Sequence, residues 1–177
     1  MQVPKQMQKQ KLIDRLKWYG PLEKFHAFFT APVLLLNANL QFSIKGAVFF
    51  SYGMIICILI LYQGQHYWKV KLHRLQGKPV DQNKNIQFFR KSKKLNILMI
   101  SLIPLFFLIQ LALNDWKLVP DKVLFWSLFA NAFAVLEYIN YYHIQLMVDN
   151  AEDFNYVLRN RKLKVASLSN DLRRSKF

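Results

Sequence analysis

LNILMISLIPLFFLIQLAL, Leu95–Leu113, carries no charge along its whole length. About 20 apolar residues are what an α-helix needs to cross the hydrocarbon core of a bilayer. Two further runs repeat the pattern. GAVFFSYGMIICILILYQ, Gly46–Gln63, is also uncharged, and KVLFWSLFANAFAVLEYINYYHIQLM runs from Lys122 to Met147 with Glu137 as its one acid. Three such runs in a chain of 177 residues exceed what a small soluble core holds. The composition agrees: 53% of residues are hydrophobic and 15% aromatic, yet the formal net charge is +15. Apolar and basic residues occupy separate blocks, as in a membrane protein with basic flanks.

A fourth run, FHAFFTAPVLLLNANLQF, Phe25–Phe42, is interrupted by His26, Pro32, Asn37 and Asn39. By itself it reads equally as a re-entrant or interfacial segment. Charge decides between the readings. Residues 1–24, 64–94 and the tail after the last run hold 22 of the 25 basic residues; the two remaining connections hold only Lys45, Lys117 and Lys122. Basic segments stay cytoplasmic, so the N-terminus and the 64–94 loop belong on one side, and an even number of crossings separates them. The expected fold class is therefore all-α: a polytopic integral membrane protein with four transmembrane helices and both termini cytoplasmic. Its parts are a basic N-terminal amphipathic segment (1–24), a membrane domain (25–147) and a basic helical tail (148–177). The spans fall at about 25–42, 46–63, 95–113 and 123–147, with the basic loop at 64–94. The expected location is the inner (plasma) membrane.

Local signals refine this. Met7, Leu12, Ile13, Leu16 and Tyr19 recur at helical spacing among lysines, which predicts a short helix on the inner leaflet, stopped by Gly20-Pro21. GKPVDQNKN, Gly77–Asn85, predicts a turn, with a helix entering the membrane from Asn85. Pro32 and Pro104 are expected to kink their helices. Asp149 or Asn150 suits the cap of a first tail helix, and Ser167 or Ser169 the start of a second. No signal peptide with a small-residue cleavage site is recognisable at the N-terminus.

Chemistry-bearing groups are sparse. Cys57 is the single cysteine, so no disulfide within the chain and no cysteine metal cluster can form. The four histidines show no i, i+4 pairing, and there is no HExxH, glycine-rich phosphate loop or GxSxG. No metal, cofactor or catalytic residue is assigned. Glu137 is the one carboxylate inside an expected span, where a charge costs roughly 3 kcal/mol. It should face the bundle interior, be paired, or stay protonated. On a helical wheel a polar stripe of Ser127, Asn131, Tyr138 and Gln145 runs beside it, with Asn140 and Tyr141 on either flank. Glu137, Asn131, Tyr138, Asn140, Tyr141 and Gln145 form the candidate intramembrane polar site. His143 falls off the stripe and reads as an interfacial residue.

The basic clusters FFRKSKK and RNRKLK exceed what topology requires. Arg90, Lys91, Lys93, Lys94, Arg159, Arg161, Lys162 and Lys164 are the candidate binders of anionic lipid headgroups or a cytoplasmic partner. Nucleic acid would feel the same field but is not favoured. The expected function is a non-enzymatic membrane component, working as a homo-oligomer or complex subunit because the polar stripe needs something to face. A cation pore ringed by Glu137 is one such assembly. The alternative is a membrane-embedded enzyme acting on lipid headgroups through Glu137, which lacks a second positioned acid and any nucleophile.

Overall fold

A computed structural model describes residues 5–117, 122–148 and 150–175; these form helices joined by short connections. The first helical path is α1 (Lys5–Phe25), a π-turn (His26–Thr30) and α2 (Ala31–Gly46). Gly20-Pro21 does not stop it, contrary to the sequence reading: α1 passes through both residues. A proline inside a helix forfeits its own N–H bond to the preceding turn, and burial on one side supplies enough to carry the helix across. Leu16 is buried and Leu12 and Ile13 half-buried, so α1 packs on the helix bundle instead of lying free on a leaflet.

Pro32 is accommodated differently. The Ala31 N–H reaches back to the His26 carbonyl, the five-residue step of a π-turn. The extra residue opens the turn just where Pro32 would otherwise crowd the carbonyl four residues before it. At Pro104 the chain breaks instead. α4 (Gln82–Ser101) ends at Leu102, whose N–H bonds Met99 O at 3.2 Å, and α5 (Ile103–Leu113) restarts with Pro104 in its first turn, where the missing N–H costs nothing.

α3 (Val48–Leu75) is the centre, with α1, α2, α4, α5 and α6 (Lys122–Tyr142) packed around it. The turn after α3 uses Gly77 at φ 73°, a left-handed value that suits glycine, and Lys78 N–H bonds His73 O at 3.0 Å. α4 begins at Gln82, three residues earlier than the sequence suggests, because the Asp81 carboxylate accepts from the Lys84 N–H at 2.9 Å and caps it. In the tail, Asn150 caps α7 (Ala151–Asn160), accepting from the Asp153 N–H at 2.7 Å. α8 (Ser167–Arg174) starts at Ser167 after Ala166.

Ile56, Ile60, Tyr67, Phe89, Tyr142 and Leu168 are the heart of the core. Within it Gln63 and Asn96 exchange two hydrogen bonds, 3.0 and 2.8 Å, and the Tyr142 hydroxyl donates to Gln63 Oε1 at 2.7 Å. Burying such amides stabilises the fold only while every partner is present.

Three helices are long and apolar enough to cross a membrane: Val48–Leu75, Gln82–Leu113 with its internal break, and Lys122–Tyr142. The α4–α5 span exposes Leu98, Leu105 and Leu108, a surface suited to hydrocarbon. α2, with 16 residues, is shorter than these. The α1–α2 path nonetheless runs antiparallel along α3. Trp68 Nε1 donates to Glu23 at 2.7 Å, the Phe28 and Tyr62 rings meet at 6.0 Å, and Asn39 Nδ2 donates to Ser51 Oγ at 3.0 Å.

Candidate functional site

α6 presents two polar faces. Ser127, Asn131 and Tyr138 turn inward and are buried. Asn131 Nδ2 donates to Phe49 O and to Ser127 O, both at 2.9 Å. The close approach requires Gly53 on α3, since a Cβ there would stand 2.8 Å from the Asn131 side chain. The stripe that seemed to need an external partner thus faces α3 of the same chain. That is the physical reason sequence reasoning misassigned its neighbour: a wheel shows which residues share a face, not which helix covers it.

The second face carries Glu137, Asn140 and Tyr141. It borders a groove of about 1150 Å3 between α1–α2 on one side and α6 on the other, floored by α3. Both flanking helices pack on α3 far more than on each other, which leaves the space between them open. Asn140 Oδ1 accepts the Leu146 N–H at 2.9 Å and ties the end of α6 to the segment after it. Gln145 lies in that segment and donates to Asp153 at 2.8 Å.

A second carboxyl enters from α1. Glu23 Oε1 accepts from Trp68 Nε1 at 2.7 Å and from the Tyr141 hydroxyl, while Oε2 is buried with no hydrogen-bond partner. Gly64 makes room for this junction: a Cβ there would collide with the Tyr141 ring and stand 2.7 Å from Glu23 Oε2. Glu23 precedes every span-length helix. Burial pushes its carboxyl up to about 7, against the hydrogen bonds from Tyr141 and Trp68, and the Glu137 charge adds to the rise. Sequence reasoning left Glu23 in the basic N-terminal segment, beyond the expected helix stop at Gly20-Pro21, and passed over it. The available signal was an acid standing just before an apolar run inside a strongly basic segment.

At the basic end of the groove stand Arg15, Lys71 and Lys164. Asp153 binds Lys164 at 2.5 Å and Arg15 at 3.9 Å. Burial raises its carboxyl, but the hydrogen bonds from Lys164 and Gln145 and the Lys164 charge outweigh that and hold it below the usual range. Lys71 is half-buried; its amino group donates to the Tyr67 hydroxyl at 3.1 Å and lies 5.8 Å from the Trp68 ring centroid.

The predicted basic clusters gather at this same end. Arg90 donates to Ser175 Oγ at 3.0 Å, and the Tyr67 hydroxyl donates to Asp171 at 2.6 Å, so loop and tail meet. Arg90, Lys91, Lys94, Arg159, Arg161 and Lys162 are exposed, whereas Lys93 and Lys164 are half-buried. His143 is exposed and lies 3.3 Å from the Tyr138 hydroxyl, apart from Glu137. His26 and His66 are engaged by Thr30 and Asn85 at 3.2 and 2.8 Å. Among the described residues no three His, Cys, Asp or Glu side chains converge on a common point. The arrangement offers two carboxyls, a phenol and an indole on a long, mostly apolar groove with a basic mouth. It can hold an amphiphile or exchange a proton. Comparison with family models, with curated protein sequences and with solved structures finds no match.

Proposed function

We propose that this chain is a non-enzymatic component of the cell's inner membrane that crosses the bilayer four times, keeps both termini in the cytoplasm, and holds anionic lipid headgroups on its basic face, as an oligomer or as a subunit of a larger complex. The observation that carries the reading is the meeting of three sequence-distant basic segments, through Arg15–Asp153, Arg90–Ser175 and Tyr67–Asp171, at one end of an apolar bundle. Each Lys or Arg close to an anionic leaflet contributes about 1 kcal/mol of attraction. The fourth crossing is supported by the α1–α2 path, which accompanies α3 from Trp68 to Ser51.

Native mass spectrometry of the detergent-purified protein tests the function. The expected spectrum contains bound anionic lipid on an oligomer or on a complex with a second protein. A strict monomer without lipid or partner sinks the reading. Topology is tested separately with Val80→Cys in a Cys57→Ser background. A membrane-impermeant maleimide should label residue 80 only after inverted vesicles are prepared; labelling in intact cells would refute the four-span arrangement.

The enzymatic alternative gains one specific observation. Glu23 shares the groove with Glu137, so two carboxyls stand where general acid and base would be needed for headgroup chemistry. It still lacks a nucleophile and ranks second.

A further inference from the structure

From the groove itself we infer a site for a single anionic phospholipid of the surrounding bilayer, with an acyl chain between α2 and α6 and its phosphate at Arg15, Lys71 and Lys164. The inference rests on the membrane reading above and goes beyond its diffuse basic face. Three features of the groove carry it.

Its size and length come first. At about 1150 Å3 the groove is larger than most small-molecule sites, which span about 300–1,000 Å3. It is bordered on α6 from Val123 to Tyr141, a rise of about 27 Å, close to the thickness of the hydrocarbon core. The groove thus runs along the bilayer normal, and a single phospholipid, one leaflet deep, occupies the part that extends inward from the basic mouth.

Polarity along that length is graded. The middle part is walled by Leu34, Ala38, Phe50, Met54, Phe129 and Phe133, none of which carries a polar group, and Asn37, Gln41 and Lys122 line its outer end. Such a wall in a bilayer takes acyl chain by dispersion contact, because lipid is already an apolar solvent. The two carboxyls lie between this wall and the basic mouth.

Charge at the mouth is the third feature. Arg15, Lys71 and Lys164 come from three separate elements, and Asp153 is the acid that contacts two of them. Among the described residues no carboxylate forms an ion pair with Lys71. Asp171 acts on this half-buried ammonium only across the Tyr67 hydroxyl, so the ammonium still lacks an anion in direct contact, and a phosphate supplies one. A neutral occupant would supply no such contact.

The test is native mass spectrometry of the full-length protein titrated with phosphatidylglycerol, with phosphatidylcholine as the neutral comparison. The wild-type chain should retain one phosphatidylglycerol under activation that strips the rest. Lys71→Gln should weaken that lipid about tenfold, and Ala38→Trp, which fills the apolar part, should abolish it while the protein stays folded by thermal shift. The surface variant Arg159→Gln/Arg161→Gln/Lys162→Gln should shed loosely held lipid and keep the tight one. Retention of the tight lipid in both Lys71→Gln and Ala38→Trp overturns the site, as does equal retention of phosphatidylcholine. Loss of all lipid in the surface variant alone overturns the groove and leaves the basic-face reading standing. Loss of nothing in the surface variant, with loss in Ala38→Trp, does the reverse.

Discussion

Gly64→Leu is expected to break the packing of α1 and α6 on α3, lowering stability by about 3 kcal/mol or more. Gly64 is buried where three helices meet, and even a methyl group would overlap the Tyr141 phenol and press on Glu23. Neither neighbour can retreat cheaply. Tyr141 is buried at the end of α6, and Glu23 is held by Trp68 as well as by Tyr141. A leucine must therefore push one helix off α3 or strand a buried carboxyl without its donors, and both cost free energy. Denaturation in detergent, followed by near-ultraviolet circular dichroism of Trp68 and the tyrosines, measures the effect. Gly20→Leu is the matched control: nothing lies within 4 Å of the site of its Cβ. Helix propensity alone would make both substitutions mildly stabilising, so a loss at Gly64 no larger than at Gly20 would mean that the junction does not set the cost.

The stability of the wild-type protein should fall as pH rises from about 4.5 to about 7 and then level off. Glu23 has an ordinary value of 4.5 and stands at about 7 in the fold. In that window the folded chain binds a proton that the unfolded chain has released, so raising pH favours unfolding. Below the window both states are protonated and the penalty vanishes; above it both are ionised and the penalty is complete. The full difference is worth about 3 kcal/mol. Glu23→Gln keeps the acceptor for Trp68 and Tyr141 but cannot ionise, so its curve should lack this fall, with the gap to wild type opening between pH 4.5 and 7. Asp153 works with the opposite sign, since its carboxyl is held low by Lys164 and Gln145, and its contribution is lost only in more acidic solution. Parallel wild-type and Glu23→Gln curves across pH 4–8 would show that Glu23 ionises freely in the fold.

Much of the architecture was legible because apolar run length and charge placement act one segment at a time. Leu95–Leu113 needs no partner to be read as a span, and Asn150 or Pro104 act on the turn beside them. The failures share a different cause. Gly20-Pro21 ends helices in general, yet α1 continues through it because α3 offers Leu16 a place to be buried. The Asn131 stripe looked unsatisfied because its partner, the Phe49 carbonyl, lies 82 residues away. Glu23 and Tyr141 are separated by 118 residues, and no local pattern links an acid before one apolar run to a phenol at the end of another. Glu137 was found because its cost is local: an acid in an apolar run. What it faces was not, because that depends on the spacing of two helices that each rest on a third.

The π-turn at His26–Thr30 sets the phase of everything beyond it. One added residue rotates the following helix by about 100° about its own axis. With it, Leu34 and Asn37 of α2 and Glu23 of α1 border one and the same groove. Without it, a straight helix carrying the same sequence would point those α2 side chains elsewhere while Glu23 stayed in place. The groove therefore depends on a single backbone step near the middle of its wall, and an insertion or deletion of one residue there would scramble its lining while sparing every residue that makes it.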